Sequence, residues 1–275
     1  MNNSSLKQLV KSCIPPIVFE LLRKKKVRTS LTYSSYEEAM NDADGYEDAV
    51  LTKVVVAKGN QLAKNIEEKK ELDLMSLRTF IGVASSLNKR KLTVIDFGGA
   101  AGTHYYIAKS ILKDIELDWR VVETQAMVSE AKHQGLENNE LQFFDDLDKA
   151  TVQGSIDLVF ASGSVHYTPE PYEYLASLAA VNARVLMLTR TPITESPCVI
   201  LQRSTLSSNG VGEIPKELGI KDKTLSYPAT MMERSRVEKI LTGFGKIELR
   251  IAEDKAAYMS NKGSFDMWGY VVRKA

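Results

Sequence analysis

Along this chain the spacing of apolar residues changes once, near residue 90. From Ser34 to Leu87 the apolar positions recur at helical intervals. Serines stand before Glu37 and Glu38, an N-cap followed by an acidic first turn. Gly45 breaks the pattern, which predicts a short helix, a turn and a longer helix through about Lys64. "LDLMSLRTFIGVASSLN" adds an amphipathic helix with Leu74, Leu77, Phe80, Ile81 and Ala84 on one face. After that, short apolar blocks alternate with helical stretches. "LTVIDFGG", "LDWRVVET", "LQFFDDL", "IDLVFASGSVHY" and "ARVLMLTRTP" read as strands. "THYYIAKSILKDI", "AMVSEAKHQGL" and "PYEYLASLAAV" between them read as helices. This alternation predicts βαβ units and a parallel sheet covered on both faces. The last part departs from it, with a helix leading into a strand at "RSRVEKILTGFGKIELRIAED" and a terminal strand at "FDMWGYVVRKA". The prediction is an α/β, doubly wound, mostly parallel sheet over residues 91–275, with an antiparallel C-terminal edge hairpin. Residues 1–90 form an N-terminal helical extension or cap.

Composition narrows the partners. The formal net charge is +1 with 26% charged residues, and no basic stripe interleaved with aromatics points to nucleic acid. The two cysteines, Cys13 and Cys198, lack metal-ligand or redox spacing, so no metal is expected. No apolar run approaches the ~18 residues of a membrane span, and Pro15-Pro16 breaks any secretory pattern. A cytoplasmic protein is therefore expected. The segment over residues 6–28 sets apolar residues beside Arg23, Lys24, Lys25, Lys26 and Arg28. It is either a peripheral contact with an anionic inner-membrane surface or a short helix with a solvated basic end.

The run "VIDFGGAAGTHYYIAKS", from Val94 to Ser110, carries the chemistry. A strand turns through glycines and alanines into a helix, the geometry that brings backbone close to a ligand. A nucleoside-triphosphate loop needs GxxxxGK[ST], and no lysine follows here. A dinucleotide turn needs G-x-G-x-x-G, but Ala100 and Thr103 occupy its second and third glycine positions. Asp96, closing the strand, would repel a phosphate. A cationic ligand without phosphate suits the run better.

In this respect "DFGGAAG", Asp96 to Gly102, resembles motif I of class I S-adenosylmethionine-dependent methyltransferases, with Ala100 in place of the middle glycine. The resemblance implies a Rossmann-like fold and S-adenosyl-L-methionine as cofactor. It assigns Asp96, Gly98, Gly99, Ala100, Gly102 and Thr103 to the cofactor turn. Glu123, ending "WRVVET", would accept both ribose hydroxyls. Asp145 in "FFDDL", or Asp146 as the alternate, would meet the adenine amino group. Ser162 and Ser164 in "SGSVHY" would line the cofactor's methyl end. Several stretches, among them "YSSYEEAMNDADGYEDAVL", "DLVFASGSVHY" and "SYPATMMERS", together resemble one bacterial branch associated with surface polysaccharide biosynthesis. That implies O-methylation of a sugar, a glycolipid or a small phosphorylated intermediate. The rival readings are a nicotinamide-dependent sugar oxidoreductase and a non-catalytic adenosyl-binding scaffold.

The resemblance assigns His166, Tyr167 and Arg190 to the catalytic rim. An imidazole with its ordinary pKa near ~6.5 is suited to take a proton at cellular pH. His166 is therefore a candidate general base, or else a cleft residue bonded to a backbone carbonyl. Tyr167 would pack over cofactor or acceptor, or form a partly buried wall. Arg190 would hold a phosphate or carboxylate bidentately, or pair with a nearby acid. Tyr227, before Pro228, is expected in a loop roofing the acceptor pocket. For the turn and the acids the plainer alternatives remain open: Gly98, Gly99 and Gly102 packing strand on helix, Asp96 capping a helix, Asp145 and Asp146 a capping pair.

Overall fold

Strands buried on both faces read as continuous apolar runs, and such runs form the centre of this sheet. The computed structural model describes residues 30–274 apart from 70–71, 73–75, 88–89 and 152–153. The basic segment 6–28, Cys13 and Leu74 lie outside the described residues. β1 (Thr32–Tyr33) is followed by α1 (Tyr36–Met40), α2 (Ala49–Lys69) and α3 (Leu77–Ser86). Then come β2 (Lys91–Phe97), α4 (Thr103–Ile111), β3 (Glu116–Val122), α5 (Gln125–His133), β4 (Leu141–Phe144) and α6 (Leu147–Thr151). β5 (Ile156–Ser162), α7 (Pro171–Ala180) and β6 (Ala183–Thr194) complete the alternating part.

β4, β3, β2, β5 and β6 pair side by side in that order, all parallel. The chain ends in α8 (Arg234–Phe244), β9 (Gly245–Ser260) and β10 (Gly263–Lys274). β10 runs antiparallel to β6 and to β9, so the hairpin adds to the sheet with β9 outermost. The fold is the doubly wound, mostly parallel α/β sheet with an antiparallel hairpin that the sequence predicts. Its edge strand β9 is largely exposed and carries Lys246, Glu248, Arg250, Asp254 and Lys255. Charge on an outer strand discourages pairing with another sheet.

The residues of each strand alternate between two apolar layers. Leu92, Val94, Trp119, Val121, Leu158 and Phe160 face α2, α3, α4 and α5, sharing one cluster with Leu51, Val54, Val83 and Met127. Ile95, Val159, Ala161 and Leu186 face the other way, toward Leu175 and Leu178 of α7 and Val237 and Leu241 of α8. The helices before residue 90 thus pack on the sheet itself. Asp48 caps α2, accepting Val50 N and Leu51 N at 2.9 Å each. Ser35 caps α1 as expected, accepting Glu38 N at 3.1 Å.

One prediction needs correction. "SYPATMMERS" is not a loop, because Tyr227 lies within β8 (Thr224–Glu233). β6 runs past its expected end to Thr194, and its last residues pair in parallel with Met232 and Glu233. β7 (Cys198–Thr205) lies antiparallel to β8, with Leu201 opposite Pro228, and β1 lies antiparallel to β7. These three strands extend the sheet from the carboxyl end of β6. Pro228 and the small polar residues Ser226 and Thr230 masked a strand that is buried along most of its length. No described helix is long and apolar enough to cross a membrane.

Candidate functional site

In open α/β sheets ligands sit outside the carboxyl ends of the strands, where the strand order reverses. Here the order reverses between β2 and β5. The glycine turn after β2 and the Gly163–Tyr167 segment after β5 meet at that point.

Asp96 sits beneath the turn. Its side chain is fully buried, takes a 2.9 Å bond from Trp119 Nε1, and lies 3.0 Å from His104 Nδ1. A Cβ at Gly99 would stand 2.5 Å from its carboxyl carbon, so the backbone rests directly on the carboxylate. Gly98 (φ 70), Ala100 (φ 52) and Gly102 (φ 77) alternate through the left-handed region. Gly98 is also pressed against Ser164, whose Cβ would lie 2.2 Å from one added at Gly98. Ala100 holds the middle position despite its Cβ, at a cost of about 1–2 kcal/mol. Ala100 N donates to Glu123 Oε1 at 3.0 Å, and Thr124 N donates to Glu123 Oε2 at 2.9 Å. Burial pushes the Glu123 carboxyl up, the two backbone donors oppose that, and the charge of Asp96 adds to the rise. The acid below and the acid beside the turn therefore hold it together. α2 presses from above, where a Cβ at Gly59 would meet Ala101 Cβ at 2.5 Å. Thr103, half-buried, opens α4.

The other expected contacts divide. Asp146 Oδ1 accepts Asp148 N at 2.8 Å and Lys149 N at 3.2 Å, the helix-capping role. Asp145 pairs with Lys149 at 2.8 Å, which holds its carboxyl below the usual range. Ser162 is buried at the end of β5. Ser164 Oγ donates to Phe97 O at 2.8 Å and ties the two strand ends together.

Beside the turn stands a cluster of tyrosines drawn from distant parts of the chain. Tyr167 is stacked on Tyr46, with ring centroids 5.9 Å apart. Tyr227 meets Tyr46 and Tyr167 edge-on at 5.1 and 5.3 Å. Tyr167 OH donates to Gln202 Oε1 at 2.8 Å and lies 2.9 Å from Tyr258 OH. Tyr227 OH bonds Asn209 Oδ1 at 3.2 Å and also meets Ser204 Oγ. Tyr36 OH donates to Tyr167 O at 2.9 Å. Burial raises the phenols of all four ring tyrosines, Tyr258 to about 12, so they stay neutral.

His166 overturns the expectation of an ordinary pKa. Its side chain is fully buried, with Nδ1 unpartnered and Nε2 3.5 Å from Tyr258 OH. Burial, and then the charge of Arg190, lower its pKa to about 3. At cellular pH the imidazole is neutral and a weak proton acceptor. It is not the poised base that its position alone suggested.

Arg190 lies in the left-handed region at φ 53, with Ala100 and Ala256 the other non-glycine residues at positive φ among those described. Such a backbone costs on the order of 1–3 kcal/mol and persists where its surroundings enforce it. Glu253 does so here. Its Oε1 accepts Arg190 N at 2.7 Å and the Thr189 hydroxyl, while Oε2 pairs with Arg78. The acid pairing considered for Arg190 thus reaches only its backbone. Sequence reasoning missed Tyr46, Gln202, Asn209, Glu253 and Tyr258. Tyr46 lies within a stretch that carries the resemblance but had no role attached to it, and the other four lie in turns or strands with no motif around them.

No protein-family model matches the chain, and no curated protein matches it. Solved structures with a similar course include an S-adenosylmethionine-dependent methyltransferase from Clostridium acetobutylicum ATCC 824, 12% identical, covering 77% of this chain and 96% of that one, TM-score 0.46. The CcbJ methyltransferase from Streptomyces caelestis is 11% identical over 81% of this chain and 99% of its own, TM-score 0.44. The cyclase SpnF is 10% identical over 72% and 81%, TM-score 0.46. The class defined by the strand order itself is the doubly wound α/β fold with an antiparallel penultimate strand position.

Proposed function

We propose that the protein is an S-adenosylmethionine-dependent methyltransferase that methylates a hydroxyl of a sugar, a glycolipid or a small phosphorylated intermediate in surface-glycan assembly. One observation carries the reading: a left-handed turn clasped by a strand-end glutamate meets a wall of neutral aromatic side chains at the switch point. The donor set fits this cofactor. Glu123 takes its hydrogen bonds from backbone rather than from a cation, and a carboxylate so placed suits hydroxyl donors such as a ribose. The turn carries no lysine or arginine for a pyrophosphate. When bound, S-adenosylmethionine supplies an electrophilic methyl group on its sulfonium.

The chain's own residues then align the acceptor. Tyr46, Tyr167 and Tyr227 offer ring faces and edges and keep water out, and alignment of this kind is worth up to roughly 7–11 kcal/mol. Neutral His166 packs behind Tyr167, ring centroids 4.0 Å apart, and backs this wall. The same reading has the protein acting in the cytoplasm, with the basic segment over residues 6–28 either a short helix with a solvated basic end or a peripheral contact with the inner membrane. Asp96, Ala100 and Thr103 argue against a nicotinamide cofactor. Calorimetry with S-adenosylmethionine, S-adenosylhomocysteine and NAD tests the proposal. Binding of the first two is expected, and binding of NAD alone would overturn it. Incorporation of labelled methyl into cell-surface intermediates then separates an enzyme from an adenosyl-binding scaffold.

A further inference from the structure

Between β6 and β10 the register slips by one residue. Leu188 lies opposite Tyr270 and Thr191 opposite Trp268, which leaves Thr189 and Arg190 facing the single residue Gly269. A bulge of this kind bends a strand and re-aims a side chain, often next to a functional site. A Cβ at Gly269 would lie 2.7 Å from Glu253 Oε1, so the absence of a side chain there admits the carboxylate that holds Arg190 N. The bulge turns the arginine toward the segment that follows β5. A Cβ on Gly163, just past the end of β5, would stand 3.2 Å from the centre of the Arg190 guanidinium.

In that position the guanidinium is solvent-exposed, and among the described residues no carboxylate pairs with it. Glu253 bonds the backbone of Arg190 and pairs its other oxygen with Arg78. The charge of Arg190 acts on His166, Tyr46, Tyr227 and Tyr258, and all four stay neutral. A cation fixed by a strained backbone beside neutral rings is arranged to receive a negative charge from outside. The planar guanidinium fork matches a carboxylate or a phosphate.

We propose that Arg190 is an anion-recognition residue, and that the acceptor carries a carboxylate or phosphate group which it holds. The proposal rests on reading this cleft as the acceptor site of a methyltransferase, and it deepens that reading.

Phenylglyoxal modification, read residue by residue by mass spectrometry, tests it on the whole protein with and without S-adenosylhomocysteine. Inorganic phosphate, compared with chloride at equal ionic strength, is expected to slow modification of Arg190 at least threefold. Arg203, exposed on β7, should be unchanged. A parallel titration with acetate distinguishes the two anions, with protection by either supporting the site. Equal slowing of Arg190 and Arg203, or no slowing of Arg190 by either anion, overturns it. Calorimetry with S-adenosylhomocysteine is run on the same sample. If that ligand fails to bind while phosphate still protects Arg190, the cofactor reading falls and the anion site stands.

Discussion

The two halves of the site are built in opposite ways. The turn half comes from one short stretch of chain and two neighbouring strands, with Asp96, Gly98 to Gly102, Trp119 and Glu123 all within the β2–β3 unit. The aromatic half draws Tyr46 from a loop before α2, Tyr167 from beyond β5, Gln202 and Tyr227 from β7 and β8, and Tyr258 from the edge strand. The first is local and held by backbone bonds. The second exists only when remote elements have packed. A binding turn can therefore be read from contiguous residues, whereas a pocket wall of this type belongs to the tertiary structure alone.

Four tests would break or sharpen this contrast. Glu123→Ala should weaken S-adenosylmethionine binding by about 100-fold or more, since hydrogen bonds to a charged group are worth about 1.5–3 kcal/mol each. Tyr167→Phe should leave that affinity within about twofold. Comparable losses in both variants, measured by calorimetry, would mean that the halves do not act separately. Next in size, Trp119→Phe leaves the buried Asp96 carboxylate without its indole donor. Urea unfolding should show a loss of about 1–3 kcal/mol.

The third test is pH. The folded-state pKa of His166, about 3, lies below its unfolded value, so the unfolded chain binds the extra proton first. Stability linked to this residue is present above pH ~6.5 and is lost as pH falls toward 3, by up to ~1.4 kcal/mol per unit. His166→Gln should flatten that slope, and an unchanged slope would show that the imidazole is not buried neutral. The smallest effect is expected from Ala100→Gly. Relief at φ 52 outweighs the added freedom of the unfolded chain, and stability should rise by up to about 1 kcal/mol with cofactor affinity unchanged.

The parts legible in the sequence follow this division. Strand–helix alternation gives the parallel sheet, because buried parallel strands are continuously apolar and their cover helices are amphipathic. "DFGGAAG" and "RVVET" marked the turn and its acid because both occupy strand ends. β8 was not legible, because Pro228 reads as a breaker although it sits opposite Leu201 in a paired strand. The pKa of His166 was not legible either. It depends on burial, with Tyr258 of the edge strand against the ring, and on the charge of Arg190, neither of which can be read from the residues beside it. The bonds of Asp146 to the start of α6 and the pairing of Asp145 with Lys149 are local contacts that both sequence readings allowed.

The seat of Gly59 on Ala101 has a mechanical meaning. α2 begins just after Tyr46 and reaches the turn at Gly59, so one continuous rod touches both halves of the site. Between its Asp48 cap and that contact the helix advances about 16 Å at ~1.5 Å per residue. α2 therefore works as a gauge block, setting where Tyr46 stands relative to the glycine turn. One extra residue between Asp48 and Gly59 would rotate Tyr46 by ~100° about the helix axis, away from Tyr167 and Tyr227, which other elements hold.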